Sequence, residues 1–445
     1  MRPFRLHRQP IRVTGLTSLL LAAGAVPATL AQEFTGPVLS ATISQRFEVD
    51  SNYRLDSDSP GTSYFGDTRL ALGYNSVTTT QSFSLGLNTG LRALWEADDD
   101  ENGDEFEFEV ASPTTASLGY SQEWADAALS PSARYRHSRV DFDQREIEFD
   151  DFGVPDSINQ ISGNTTERRY DGSVQLQLAT DAPSSYSFSL SATHVDYSEN
   201  SDDRVARTTV SGGATWSLAL TPVMSSIVSA SYMRYEADDD EDTARNLAEL
   251  DVGLNYAMTQ YLSVGAGFGY ADRRRDETIG GERVRTEDEQ GPTLWGTVNY
   301  AFEDISLSGN LRISDAAPDT QISGSLQATY PLPRGSLNGR VFQSYSGGSS
   351  SGDEVRLTGA SLGLTRDLTS ISRVGFGVQM ALQENQDDPS DPDVHRLDAT
   401  ATYSHDFSEV LSADIGYRFR YRDEDDTARS HSVFFSIGRS FATGF

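Results

Sequence analysis

From about residue 38 to its end the chain alternates apolar and polar side chains one by one. Phe83, Leu85, Leu87, Leu91, Ala93 and Trp95 share one parity, while Ser82, Ser84, Gly86, Asn88, Gly90 and Arg92 share the other. The same pattern recurs with Val374, Phe376, Val378, Met380 and Leu382, and again with Leu411, Ala413, Ile415, Tyr417, Phe419 and Tyr421. Successive side chains of a β-strand point to opposite faces, so each segment predicts a strand with one apolar and one polar face. About twenty such segments are legible. They begin near residues 38, 64, 81, 106, 127, 168, 184, 205, 223 and 246, and near 261, 293, 304, 320, 335, 354, 372, 395, 410 and 429. Helical periodicity is nearly absent.

The connections alternate in character. One set is short, as at Asn75-Ser76-Val77-Thr78, Thr180-Asp181-Ala182-Pro183, Leu220-Thr221-Pro222, Met258-Thr259-Gln260 and Phe407-Ser408-Glu409. The other is longer and acidic: residues 96–105, 141–164, 236–243, 385–394 and 423–427 hold 28 acidic side chains and a single basic one, Arg145. Tight turns at one end and long loops at the other describe a transmembrane antiparallel β-barrel of the outer-membrane type, here with about 18–20 strands. A soluble sandwich or β-solenoid would need its second face to form a dry core. Ser, Thr, Gly, Asn, Gln and Arg cannot make one, whereas they suit a wet lumen. Tyr74, Tyr120, Trp216, Tyr256, Tyr300, Tyr330 and Tyr403 stand just before short turns, as a periplasmic aromatic girdle requires.

Composition then narrows the classes. The 445 residues carry 66 acidic and 35 basic side chains, every basic one an arginine, for a net charge of -31. Such a chain has no general attraction for nucleic acid. With no cysteine it has no disulfide, thiolate metal site or thiol nucleophile. Residues 1–31, with Arg2, Arg5, Arg8 and Arg12 ahead of the apolar run Leu16–Val26 and the small-residue site at Thr29-Leu30-Ala31, read as a secretory signal peptide. The mature barrel is then residues 32–445, with about six residues ahead of the first strand, too few for a plug or passenger domain.

Inward-facing arginines are the candidate chemistry: Arg46, Arg69, Arg92, Arg134, Arg136, Arg273, Arg312, Arg340, Arg356, Arg418, Arg420 and Arg422. Arg134 with Arg136, and Arg418 with Arg420 and Arg422, form ladders that would favour anions in a water-filled lumen. The competing expectation is that Glu249, Asp251, Asp398 and Asp414 neutralise them across strands. The runs Asp98, Asp99, Asp100 and Asp238, Asp239, Asp240 are candidate divalent-cation loops, although neither has the spacing of a dedicated calcium loop. Residues 141–164, with Phe142, Ile147, Phe149 and Phe152, are a candidate inward-folding constriction. His137, His194, His395, His405 and His431 offer no convincing catalytic grouping, so neither an enzyme nor a cofactor is expected.

The signal peptide, the segment Phe47-Glu48-Val49-Asp50-Ser51-Asn52-Tyr53, the acidic loops and the terminal Phe445 carry a resemblance to the outer-membrane β-barrel porin-like proteins, some of which accompany exopolysaccharide secretion. Phe445 resembles the signal that the barrel-assembly machinery reads. Thr443 and Arg439 depart from that pattern. The resemblance implies a channel for hydrophilic solutes or a polysaccharide export conduit. The partners it implies are outer-membrane lipid, lipopolysaccharide, the assembly machinery and, as in many porins, further copies of the chain. The alternative expectation is a closed structural or surface-binding barrel whose acidic loops hold cations.

Overall fold

The computed structural model describes residues 37–96, 105–110, 113–140, 165–198, 205–239, 242–302, 304–316, 320–347, 354–386, 393–424 and 426–444. Its strands are β1 (Val38–Asp50), β2 (Ser63–Val77), β3 (Gln81–Glu96), β4 (Glu105–Val110), β5 (Thr114–Glu123), β6 (Ala127–Val140) and β7 (Thr165–Leu178). They continue with β8 (Ser184–Tyr197), β9 (Arg207–Thr221), β10 (Met224–Ala237), β11 (Ala244–Ala257), β12 (Leu262–Ile279), β13 (Glu282–Phe302) and β14 (Ile305–Ser314). The last are β15 (Gln321–Leu332), β16 (Gly335–Gly347), β17 (Glu354–Thr369), β18 (Ser372–Asn385), β19 (Val394–Ser408), β20 (Leu411–Asp423) and β21 (Thr427–Gly444).

Apart from β4 and β5, each strand pairs antiparallel with its sequence neighbours, and β1 pairs with β21 over thirteen positions from Val38↔Gly444 to Asp50↔Ser432. The sheet is therefore a closed barrel. β4 and β5 both pair with β3, β4 at its outer end and β5 at its inner end, so they are two halves of one stave. The barrel has twenty staves, an even number as expected of a single-chain bacterial barrel. Pro113 stands immediately before β5; it carries no N–H for the ladder, which accounts for the interruption.

Burial is inverted relative to a soluble protein. Leu91, Phe268, Leu190 and Leu294 are more than half exposed on the outside, while Leu94 and Thr293 on the inner face are completely buried. Trp216, Tyr256, Tyr330 and Tyr403 are exposed at the short-turn end, and the Trp216 indole N–H donates to Ser184 Oγ at 2.8 Å. That belt places the barrel in the bacterial outer membrane.

The segmentation expected from the sequence holds, with two differences. β12 and β13 form a tall hairpin that turns at Gly280-Gly281, with φ of +65° and +84°, so β13 starts at Glu282 rather than near 293. The excess of charge over residues 282–289 hides this extension, since it runs beyond the lipid where alternation is no longer enforced. The second difference concerns Arg356: its parity on β17 matches the half-exposed Leu362, so it faces outward. It bonds there to Glu384 (Nε–Oε2 2.8 Å), and Val355 and Leu357 take the inward positions.

Inward glycines receive aromatic rings. Trp295 lies against Gly253 and Gly267, Phe342 against Gly359, and Phe434 against Gly416. A Cβ on Gly416 would stand 2.2 Å from the Phe434 ring, with no backbone atom among its nearest neighbours. Glycine here admits a ring to the wall, a device known in designed sheets as aromatic rescue. Gly416→Ala is expected to destabilise the barrel by about 1–3 kcal/mol through overpacking. The double variant with Phe434→Ala should lose less than the sum of the single losses in vesicle-based urea unfolding; strict additivity would contradict the contact.

Candidate functional site: the lumen wall and its seam

The inner wall divides by height. Towards the short turns, inward positions are small or amide-bearing, and Gln175, Gln177, Asn299, Ser308, Asn310, Gln327 and Asn338 are all exposed. Towards the long loops the inward face becomes buried, with packed groups at Tyr53, Phe65 and Leu94, at Val205, Tyr235 and Ala237, and at Phe342, Leu357 and Ala381.

The most connected group sits where the barrel closes. Asp50, the last residue of β1, accepts from Arg420 Nη2 at 2.6 Å, from Ser430 Oγ at 2.5 Å and from the Asn52 backbone N–H at 2.9 Å. The two charged side chains are 3% and 2% exposed, so this ion pair is dry. Ser51 exchanges backbone and side-chain bonds with His431, since its N–H donates to the His431 carbonyl at 3.0 Å and its Oγ accepts from the His431 N–H at 2.9 Å. Asn52 Nδ2 donates to the carbonyls of Asp56 and Arg429, and its Oδ1 accepts from the Asp56 N–H. The Asp-Ser-Asn step thus clasps the first strand to the last two.

From this clasp the chain turns into the lumen. Tyr53 packs on Phe65 with ring centroids 4.5 Å apart, and its hydroxyl accepts from Arg92. Leu55 is buried against Ala428 although it holds a left-handed φ of 56°, a conformation that for a leucine costs roughly 1–3 kcal/mol and persists only under tight packing. The expected constriction, residues 141–164, lies outside the described residues. The observed inward segment is the one after β1, which sequence reasoning noticed only as a motif.

Most inward arginines are neutralised. Arg92 grips Asp67 through two bonds of 2.8 and 3.1 Å, Arg312 reaches Glu249 and Asp251, and Arg46 pairs with Glu48 while covering the Phe434 ring. Arg69 also meets Asp67, and Arg422 bonds Glu424. Arg136, Arg273, Arg340 and Arg418 face inward by parity. The Arg418–Arg420–Arg422 ladder is accordingly a structural column at its middle and top. Arg134 differs, being exposed to the lumen next to Ser117 and Asp171 in the register. Asp171 itself is bonded by Arg169 and Thr193.

Of the candidate cation loops, Asp98, Asp99, Asp100 and Asp240 lie outside the described residues, as does Phe445. Asp239 Oδ1 accepts from the Thr243 N–H at 2.7 Å, shaping the β10–β11 turn. No metal-binding grouping occurs among the described residues.

Taken together, closure, outward belt and polar lower lumen define an outer-membrane β-barrel. No protein-family model matches the chain, and no curated protein does. Solved structures do. The FrpB iron transporter from Neisseria meningitidis (F5-1 variant) is 8% identical with a TM-score of 0.55, over 92% of this chain and 82% of that one. Its F3-3 variant is 8% identical with a TM-score of 0.50, over 91% and 81%. The likeness is one of fold: a large outer-membrane barrel.

Removing one partner of a dry ion pair leaves the other charge buried, at a cost of about 3–5 kcal/mol. Asp50→Ala should therefore lower the urea midpoint of the folded, heat-modifiable form. Asp414→Ala, which removes a carboxylate that accepts from the Ser436 hydroxyl, should lower it far less. Equal effects would show that the clasp is not a special point of closure.

Proposed function

We propose that the barrel is a channel for passive or semi-selective passage of hydrophilic solutes, working without a catalytic step or cofactor. The observation that carries this reading is the exposed polar lining of the lower lumen, from Gln175 and Gln177 through Asn310 to Asn338. Hydrogen-bonding side chains that keep their exposure inside a barrel are solvated, and a lumen solvated along its full height conducts. Barrels of 16–18 strands leave an aqueous channel and those of 22 enclose a plugged lumen, so twenty staves supply width for either outcome. Iron is the cargo named for the FrpB structures; among the described residues no metal-binding grouping favours it over other solutes.

The upper lumen supplies selectivity. Tyr53, Leu55, Phe65 and Leu94 thicken the wall on the seam side, while Arg134 offers an accessible cation on β6, two staves beyond Leu94 of β3. A narrowed passage with an exposed positive charge at Arg134 favours small anionic or dipolar solutes. Export of an acidic polysaccharide fits the same chemistry. A closed surface-binding barrel is favoured instead by the dryness of the outer half, where Leu94, Leu357, Val195 and Val394 are buried.

Purified barrel in planar bilayers is expected to give discrete conductance steps with a modest anion preference. Arg134→Glu should shift the reversal potential towards cations, and Tyr53→Ala with Leu55→Ala should enlarge the unit conductance. Folded protein that conducts nothing would overturn the channel and favour the closed barrel.

A further inference from the structure

The outer wall is not a smooth cylinder. A groove of about 1010 Å³ runs along its membrane face from Gly265 of β12 to Tyr421 of β20. On most of the strands it crosses, the lining residues come as triplets whose first and third members face outward, as with Met380 and Leu382 on β18, so the groove opens to lipid and not to the lumen. Its floor is made of small outward residues, Gly296, Gly309, Gly324 and Ala360, and its walls of leucines, valine and methionine. The volume lies at the upper end of the roughly 300–1,000 Å³ of ligand pockets.

Strand register gives the groove a direction. One outward row of paired residues runs Val298↔Gly309↔Leu326↔Val341↔Ala360↔Met380↔Leu397↔Tyr421↔Arg429. Eight steps at the inter-strand spacing make it about 38 Å long. Because the strands tilt by about 35–45°, a row perpendicular to them climbs through the apolar band, which is about 25 Å tall. It starts two residues above the girdle residue Tyr300 and ends at the third residue of β21, on the long-loop side. An apolar track therefore rises to the outer surface and meets an arginine there.

Arg429 is exposed, its guanidinium lies 5.9 Å from the centroid of the Tyr421 ring, and no ion pair to it occurs among the described residues. His395, at the upper edge of the groove, adds a second nitrogen base, with Asp423 opposite it in the register. Guanidinium is the side chain best suited to phosphate. Arg429 stands one strand beyond Tyr421, the last residue lining the groove, and an apolar trough with an arginine beside its upper end matches a lipid with acyl chains below and a phosphate above.

We propose that this groove is a binding site for a phosphorylated, acylated lipid of the outer leaflet, namely lipopolysaccharide, with chains along Ala360, Met380 and Leu397 and a phosphate on Arg429. The site is independent of the channel reading, since it occupies the opposite face of the wall.

The test is lipid retention by the full-length barrel purified in detergent, measured by native mass spectrometry after addition of short-core lipopolysaccharide, its dephosphorylated form or phosphatidylglycerol. Wild type should retain lipopolysaccharide preferentially. Arg429→Ala should cut that retention about tenfold, the factor associated with losing one charge-assisted contact, without changing retention of the dephosphorylated form. Ala360→Trp should cut both by filling the floor, and Thr358→Leu serves the same purpose should the tryptophan prevent folding. Arg429-dependent retention of phosphatidylglycerol alone would overturn lipopolysaccharide as the source. Equal retention by all variants would overturn the site. Disulfide-linked dimers of Ala360→Cys formed in membranes would overturn it in favour of contact between copies.

Discussion

Every backbone N–H and C=O that crosses hydrocarbon must find a partner within the protein, because lipid offers none. An open sheet fails this requirement at both edges, so the pairing of β1 with β21 is the condition on which the rest depends. The two strands lie at opposite ends of the chain, and their union carries a correspondingly large loop-closure cost. The dry Asp50–Arg420 pair, with Ser430 and the Ser51–His431 exchange, concentrates polar bonds at that junction. The clasp and the inward turn of Tyr53 and Leu55 are consequently one feature, since the same Asn52 that holds Asp56 also holds the Arg429 carbonyl.

Charge follows the same economy. Five acidic loops hold 28 of the 66 carboxylates, so the negative charge belongs chiefly to the outer rim. Within the wall, arginines and carboxylates meet in pairs, as Arg92 does with Asp67 and Arg312 with Glu249 and Asp251. Neutral pairing is what a wall bordering hydrocarbon requires, and it leaves only selected cations accessible. Arg134 faces water in the lumen and Arg429 faces the outer surface. Their surroundings differ: polar wall for the first, an apolar trough for the second.

Strand number, the girdle and the orientation of nearly all inward arginines were legible in the sequence because parity is local and lipid enforces it at every second residue. Arg356 escaped for the same reason in reverse. It lies at the beginning of β17, where lipid no longer demands an apolar outward residue, and a charged side chain there can stand on either face. The tall β12–β13 hairpin was hidden in the same way. That Asp50 is a partner of Arg420 was not legible at all. Asp398 faces Arg420 in the register, and Asp50 reaches the same arginine with a 2.6 Å bond across the seam.

Alternation and connection length, both readable within a few residues, determined that this chain is an outer-membrane barrel of about twenty strands with an acidic outer rim. Tertiary structure alone decided which residues share a row around the wall. Register joins Val298 to Arg429 through seven intervening strands and Asp50 to a residue 370 positions away. Those relations depend on closure and tilt, properties of the whole sheet that no local stretch of sequence contains.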